Sequence, residues 1–97
     1  MIEPRREVRW FARQMEAKLQ KHDDRGGWDS CSADYLLRRI ADERGELGRQ
    51  LRKLARKIAK GGTVTRAEGA EVIAEAADVA NFAMMIADNW RYFAEHD

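Results

Sequence analysis

The fold of this chain is decided by residues 71–90, which read EVIAEAADVANFAMMIADNW. Nearly every residue from 76 to 87 is apolar or small, so a helix formed here is expected to be covered on most of its sides. Asp78 and Asn81 nevertheless lie inside this run, and Glu75 precedes Asp78 by one helical turn. A carboxylate in apolar surroundings is costly unless it is paired, protonated or bound to a cation. The stretch therefore predicts a buried helix that carries a polar site.

Length and composition restrict the class of protein. The 97 residues suffice for one domain, over 1–97, without a second core. Lys and Arg number 18 against 17 Asp and Glu, so the net charge of +1 provides no bulk attraction to nucleic acid. The single cysteine, Cys31, excludes an intramolecular disulfide, and the sequence has no evident signal segment or membrane span. We expect a cytoplasmic protein with no membrane partner.

Helical periodicity divides the chain into three segments. The spacing of apolar residues at intervals of three or four predicts helices over about 3–22, 33–60 and 65–94. No stretch shows the alternating pattern of a β-strand, so the sequence indicates an all-α fold with three long helices.

Local signals mark the ends of these helices. Pro4 suits the first turn of the first helix, and Ser30 or Ser32 is the expected N-cap of the second. The glycine pair at 61–62 is a stop signal for the second helix, and residues 65–68, TRAE, form a capping box that opens the third.

The third helix has more apolar surface than one chain can cover. It carries two adjacent seams, which are Val72, Ala76, Val79, Ala83, Ile86 and Trp90, and Ile73, Ala77, Ala80, Met84 and Ala87. The second and third helices would each be roughly 40–45 Å long, whereas a compact globule of this size has a radius of gyration of about 13 Å. We therefore expect a four-helix-bundle-like core that is completed by homo-oligomerisation, as a homodimer or homotetramer.

Two acidic pairs are the strongest candidates for a functional site. Glu43 and Glu46 lie three residues apart on the second helix, and Glu75 and Asp78 repeat this spacing on the third. Glu43 lies 18 residues before Gly61 and Asp78 lies 17 after it, so an antiparallel hairpin brings both pairs to one level. Four converging carboxylates raise one another's pKa values, and Mg²⁺ or Mn²⁺ would relieve the repulsion. The alternative is that both pairs are surface residues.

The acidic motifs resemble those of a known superfamily. DERGEL at 42–47, followed by EAADVANF at 75–82, is similar to the EExxE and ExxD signature of the MazG-like all-α nucleoside triphosphate pyrophosphohydrolases, which include the dimeric dUTPases. KHDDRGGW at 21–28 looks like the end of helix one in short phage and bacterial members. One departure is Asp42, where the motif usually begins with glutamate. The resemblance covers about residues 11–89.

The resemblance implies a function and a set of site residues. It implies an oligomeric helical bundle that uses Mg²⁺ to hydrolyse a (d)NTP to the nucleoside monophosphate and pyrophosphate, in nucleotide-pool control or house-cleaning. Its metal ligands and catalytic residues would be Glu43, Glu46, Glu75 and Asp78.

Four further residues are candidate contacts for the nucleotide substrate. Trp28 either stacks on the nucleobase or anchors its loop to the core. Lys18 and His22, near Arg25, either meet the triphosphate or are solvated. Asn81 either bonds to the ligand or forms a buried hydrogen bond between helices.

A basic face supports a rival hypothesis. The end of the second helix carries Arg49, Arg52, Lys53, Arg56, Lys57 and Lys60. These residues suit a small helical dimer, similar to an antitoxin or regulator, that binds nucleic acid or a protein partner without catalysis. No recognition-helix pattern or interleaved aromatic residues accompany them, so nucleic acid is the less favoured partner.

Overall fold

The chain folds into three long helices. The computed structural model describes residues 2–96, apart from the side chain of Arg25, so both ends of the expected domain, 1 and 97, lie outside the described residues. The elements are α1 (Arg6–Gln20), a short 3₁₀ helix (Asp23–Arg25), α2 (Ala33–Ala59) and α3 (Arg66–Glu95). Residues 2–96 contain no β-strand, and the predicted all-α class is confirmed.

The first helix is shorter than predicted, because it begins at Arg6 rather than near residue 3. Arg5 is its N-cap and has an extended backbone without a side-chain cap bond. Pro4 therefore precedes the helix instead of occupying its first turn, and its carbonyl accepts a hydrogen bond from the guanidinium of Arg9. An arginine has no side-chain oxygen with which to satisfy the first free N–H groups of a helix.

The second helix has a conventional start and a glycine stop. Ser32, one of the two predicted candidates, is the N-cap, and its hydroxyl accepts a 3.1 Å bond from the N–H three residues later. At the other end Gly61 has a φ of 85°, and its N–H donates to Ile58 O at 2.9 Å. Gly62 N–H donates to Lys57 O at 2.9 Å. These two bonds are a Schellman motif, which a side chain at Gly61 would strain.

The predicted capping box opens the third helix and also joins it to the second. Thr65 Oγ1 accepts the N–H of Glu68 at 3.1 Å, and Glu68 Oε1 accepts the N–H of Thr65 at 2.9 Å. Lys57 Nζ lies 2.8 Å from the same carboxylate. The Lys57 hydrogen bond, with help from Thr65, lowers the pKa of Glu68 to about 2. This network fixes the turn end of the α2–α3 hairpin.

The third helix is the central element, and it packs against both of the others. It runs antiparallel to α1, because Lys18 contacts Asp78 while Met15 contacts Asn81 further along α3. The short turn between α2 and α3 makes that pair antiparallel too. This arrangement places the middle of α3 between two helices, where the predicted acidic site lies.

A single chain buries few side chains. Among the residues that the structure describes, only Leu36, Leu54, Ala77 and Asn81 are buried, and α1 contributes none. Trp90 is 58% exposed, and most of the middle of α3 is only half-buried. The radius of gyration is 16.1 Å, against about 13 Å for a compact chain of 100 residues. The expectation that α3 is covered on most sides is therefore not met within one chain.

No helix within residues 2–96 has an apolar segment long enough to cross a lipid bilayer.

Candidate functional site

Three carboxylates meet between α2 and α3. A carboxylate oxygen from each of Glu43, Glu75 and Asp78 lies within 4.8 Å of the corresponding oxygens of the other two. Glu43 comes from the middle of α2, whereas Glu75 and Asp78 project from successive turns of α3. The antiparallel hairpin thus brings residues 32 or more positions apart to one level, as the spacing from the turn predicts. We call these three residues the carboxylate cluster.

The fourth predicted ligand, Glu46, does not belong to the carboxylate cluster. Its side chain is 55% exposed and lies 3.6 Å from the guanidinium of Arg49, one turn further along α2. A spacing of three residues rotates Glu46 away from Glu43, and the nearby cation holds it towards solvent. The site therefore contains three converging carboxylates rather than the expected four, and Glu46 lies at the rim of the cluster.

The surroundings of Glu43 and Glu75 raise the pKa values of both side chains. Burial raises the pKa of Glu43, and the negative charge of Asp78 raises it further against the opposing effect of Arg39. Burial also raises the pKa of Glu75, with added repulsion from Glu46 and Asp78. Like charges at short range and partial desolvation are the physical causes that the sequence predicts for this site.

Two cations of the chain itself partly neutralise the carboxylate cluster. Lys18 Nζ lies 3.3 Å from Asp78 Oδ2, and Arg39 Nη2 lies 3.0 Å from Glu43 Oε1. Asp78 is also 26% exposed, so it is less isolated than its apolar neighbours in the sequence suggest. Lys18, a predicted triphosphate contact, forms this ion pair with Asp78, a predicted metal ligand.

The third carboxylate is left without a partner. Glu75 Oε2 is buried and has no hydrogen-bond partner in the described part of the chain. A buried carboxylate oxygen without a partner is costly, so such atoms are rare in folded proteins. The unmatched oxygen belongs to a residue of the carboxylate cluster, and a cation bound to the cluster would give Glu75 a partner.

A cavity of about 370 Å³ adjoins the carboxylate cluster and shares Asp78 with it. It lies between α1, the loop after α1, the start of α2 and the middle of α3. Apolar and aromatic side chains make up most of the wall, with two cations, two carboxylates, one histidine and one amide among them. The main lining residues are Leu19, Trp28, Tyr35, Leu36, Phe82, Met85, Lys18, His22, Asp23, Arg39, Asp78 and Asn81. Its size falls within the range of small-molecule sites, about 300–1,000 Å³.

The loop between α1 and α2 is fastened to α3 through Trp28. The indole Nε1 donates to Asp88 Oδ2 at 3.0 Å, and the backbone oxygen of Trp28 accepts from Asn89 Nδ2 at 3.0 Å. The anchoring role that was one of the two predictions for Trp28 is therefore present. Because the half-buried ring also lines the cavity, it remains available to a ligand.

Asn81 forms the interhelical bond that was one of its two predicted roles. Its Nδ2 donates to the backbone oxygen of Met15 in α1 at 3.0 Å, and the residue is only 4% exposed. Its Oδ1 is buried and has no partner among the described residues. Asn81 therefore ties α1 to α3 and leaves an acceptor beside the cavity wall.

The remaining predicted substrate contact, His22, follows α1, is exposed and lines the cavity. The side chain of Arg25 lies outside the described residues.

Two site residues were missed by the sequence analysis. Arg39 lies four residues before Glu43 on the same helix, so the spacing alone could have predicted their i, i+4 ion pair. Its guanidinium carbon also lies 5.2 Å from the centre of the Phe82 ring. Asp88 had no comparable signal, because its partner Trp28 is 60 residues away in the sequence.

The basic face of α2 is smaller than the sequence suggests. Lys57 is turned to Glu68. The other five residues are exposed, namely Arg49, which lies 3.6 Å from Glu46, and Arg52, Lys53, Arg56 and Lys60.

No known protein family matches the chain, and comparisons with characterised proteins and with solved structures likewise found no match. The similarity of the two acidic motifs to the MazG-like superfamily therefore stays a hypothesis.

Proposed function

We propose that this protein is a Mg²⁺-dependent nucleoside triphosphate pyrophosphohydrolase, which cleaves a (d)NTP to the nucleoside monophosphate and pyrophosphate. The observation that carries the proposal is the meeting of Glu43, Glu75 and Asp78 at the edge of a cavity of about 370 Å³. A site that combines clustered acids with a largely apolar cavity suits a ligand with a phosphate chain at one end and a base at the other.

The residues present fit a hard divalent cation. All three donors are carboxylate oxygens, which Mg²⁺ and Mn²⁺ prefer over nitrogen or sulfur ligands. The buried Oε2 of Glu75 lacks a partner in the described part of the chain, and burial together with neighbouring carboxylates raises the pKa values of Glu43 and Glu75. Glu43, Glu75 and Asp78 would hold the ion.

The chain's own residues have distinct parts in the proposed reaction. When bound, Mg²⁺ supplies neutralisation of phosphate oxygens and lowers the pKa of water. Glu46 lies exposed at the rim, 3.6 Å from Arg49, and would accept a proton from the attacking water. Trp28 offers an aromatic face to a base, and its hydrogen bond to Asp88 keeps the ring in place.

Self-association is part of the proposal. Large apolar side chains remain exposed on all three helices, including Trp10 on α1, Leu37, Leu51 and Ile58 on α2, and Trp90 on α3. A second copy of the chain would cover such surfaces and complete a four-helix-bundle-like core. Sedimentation at micromolar concentration should therefore show a dimer or tetramer, and a clean monomer would remove this part of the proposal.

Pyrophosphate release tests the proposed activity. The full chain with Mg²⁺ and a mixture of dNTPs should release pyrophosphate and nucleoside monophosphate. Asp78→Asn should lower the rate by at least about 100-fold, since it removes a carboxylate shared by the cluster and the cavity. Asp34→Asn, in the exposed first turn of α2, is the matched control and should keep the rate.

The same preparation distinguishes the rival function. Salt-sensitive binding of duplex DNA or RNA without any nucleotide turnover would favour nucleic-acid binding through the basic face. The same result would contradict the pyrophosphohydrolase. If turnover is observed, separate assays of the individual triphosphates, with a few modified ones, identify the preferred base.

A further inference from the structure

Two ion pairs connect the carboxylate cluster with the cavity. Lys18 from α1 contacts Asp78 at 3.3 Å, and Arg39 from α2 contacts Glu43 at 3.0 Å. Both cations also line the cavity. Their side chains are only 23% and 35% exposed, so each is held between the acids on one side and the cavity on the other. No cation from the loop or from α3 occupies this position among the described residues.

The charges of the site do not balance. Three carboxylates face two cations, and Glu75 has no Lys, Arg or His nitrogen within 4.0 Å in the part of the chain described. A divalent cation at the carboxylate cluster would satisfy Glu75 and compete with Lys18 and Arg39 for the same oxygens. It would also repel both side chains, because like charges a few Å apart interact strongly in a partly desolvated site.

We propose that Lys18 and Arg39 are exchangeable counter-ions of the carboxylate cluster. A divalent cation displaces them from Asp78 and Glu43, and the displaced side chains then bind the anionic phosphate groups of the ligand in the cavity. This inference rests on the proposed function and adds to it two residues that couple the two binding events. Since the coupling is thermodynamic, the metal strengthens anion binding and the anion strengthens metal binding by the same factor.

The two residues differ in how they would hold an anion. Arg39 lies against the face of Phe82, with its guanidinium carbon 5.2 Å from the ring centre, and it also bonds to Asp42 at 3.0 Å. These contacts keep the planar guanidinium at the cavity wall when its ion pair with Glu43 is lost. The planar group can then form two parallel hydrogen bonds with a phosphate. Lys18 has a flexible chain and is a movable point charge. We therefore assign positioning to Arg39 and charge compensation to Lys18.

Metal and anion affinities together test the proposal. In Lys18→Met, calorimetry should show Mn²⁺ binding about fivefold tighter than in the wild type, because a competing cation is removed, whereas magnesium pyrophosphate should bind about fivefold weaker. Lys21→Met, at the exposed C-cap of α1, is the matched control and should change neither affinity. Lys18→Arg keeps the charge and should restore both values towards the wild type.

Opposite shifts of the two affinities are not expected from a residue that only supports the fold. Metal binding that is unchanged or weaker in Lys18→Met overturns the counter-ion proposal and leaves the pyrophosphohydrolase proposal standing. Failure of the wild-type chain to bind Mn²⁺ at millimolar concentration overturns both. If Lys18→Met does not fold, Arg39→Gln against the control Arg38→Gln gives the same comparison, and the absence of tighter Mn²⁺ binding in Arg39→Gln is equally decisive.

Discussion

The turn and the middle of the α2–α3 hairpin treat the same type of side chain in opposite ways. Glu68, at the turn, contacts Lys57 at 2.8 Å and caps its own helix, and its pKa is lowered to about 2. Glu75 lies two turns further along α3, where burial and neighbouring carboxylates raise its pKa. The residue type and the helix are the same. The local partners therefore decide whether a glutamate stabilises the fold or is held at a cost.

Hydrogen bonding shows the same contrast. At the turn end, the Schellman motif and the capping box satisfy the free backbone groups of both helices. Glu75 Oε2 and Asn81 Oδ1 are buried without partners among the described residues. Asn81 lines the cavity, and Glu75 belongs to the carboxylate cluster beside it. Proteins tolerate such local violations chiefly where function requires them. The contrast thus separates the structural turn of the hairpin from its middle, where the candidate site lies.

Among the variants of the hairpin, Glu75→Gln should have the largest effect on stability and on the response to metal. Without divalent metal, the variant should be more stable than the wild type by about 1–2 kcal/mol at pH 7, because an unpaired charge is removed from a partly buried acidic cluster. With millimolar Mg²⁺ or Mn²⁺, the wild type should gain melting temperature and the variant should gain much less. Thermal unfolding with and without each ion measures both effects.

The pH dependence of this variant has a defined sign. Burial and neighbouring carboxylates raise the pKa of Glu75 in the folded state above its ordinary value of 4.5. The folded protein therefore loses stability as the pH rises above 4.5, because ionisation of Glu75 then opposes folding. The advantage of Glu75→Gln over the wild type should therefore grow from pH 4.5 upward. Glu71→Gln, one turn earlier on an exposed position, is the control and should show no such trend. A metal response of equal size in wild type and Glu75→Gln would contradict the cation site.

A smaller effect is expected from the glycine stop at the turn end. Gly61→Ala should destabilise the protein by about 1 kcal/mol, because the φ of 85° that the Schellman motif requires is unfavourable for a residue with a Cβ. Gly69→Ala, inside α3 where an added Cβ meets no atom within 4 Å, should instead stabilise it by about 0.5–1 kcal/mol. Urea unfolding of both variants compares them, and two changes of the same sign would argue against the turn geometry.

Glu68→Gln should have the smallest effect, and its effect on stability should depend on pH in the opposite sense to that of Glu75→Gln. The lowered pKa of Glu68 means that its ionised form stabilises the folded state above about pH 4.5 and that this contribution is lost as the pH falls to about 2. The variant should therefore be slightly less stable than the wild type at pH 7 and equal to it near pH 2. Chemical unfolding across this range measures the difference, and a gap that widens in acid would contradict the assignment.

Much of the fold and part of the site could be predicted because their signals are local. The capping box at Thr65, the N-cap at Ser32 and the glycine stop at Gly61 act over three to five residues, and each is found in the structure. The meeting of Glu43 with Asp78 also followed from the sequence, since equal distances from a tight turn place residues at one level of an antiparallel hairpin. The start of α1 was wrong, because Arg5 offers no side-chain cap.

The rest of the site depends on contacts between residues that are far apart in the chain. Lys18 reaches Asp78 and Trp28 reaches Asp88, each across 60 residues, and no periodic pattern marks such partners. The exposure of Glu46 also required the structure, because an i, i+3 pair fixes the spacing of two side chains and not which of them faces the partner helix.

The sequence alone predicts the three helices and the caps of α2 and α3, because these depend on backbone periodicity and turn chemistry. It also predicts that Glu43 and Asp78 meet, because they lie at similar distances from the turn between the two helices. Only the tertiary structure decided that three carboxylates rather than four form the cluster, and that Lys18 and Arg39 neutralise two of them. It also placed a cavity beside the stretch at 71–90. The reason is that side-chain pairing depends on how α1 and the loop after it pack on α3, which local sequence does not encode.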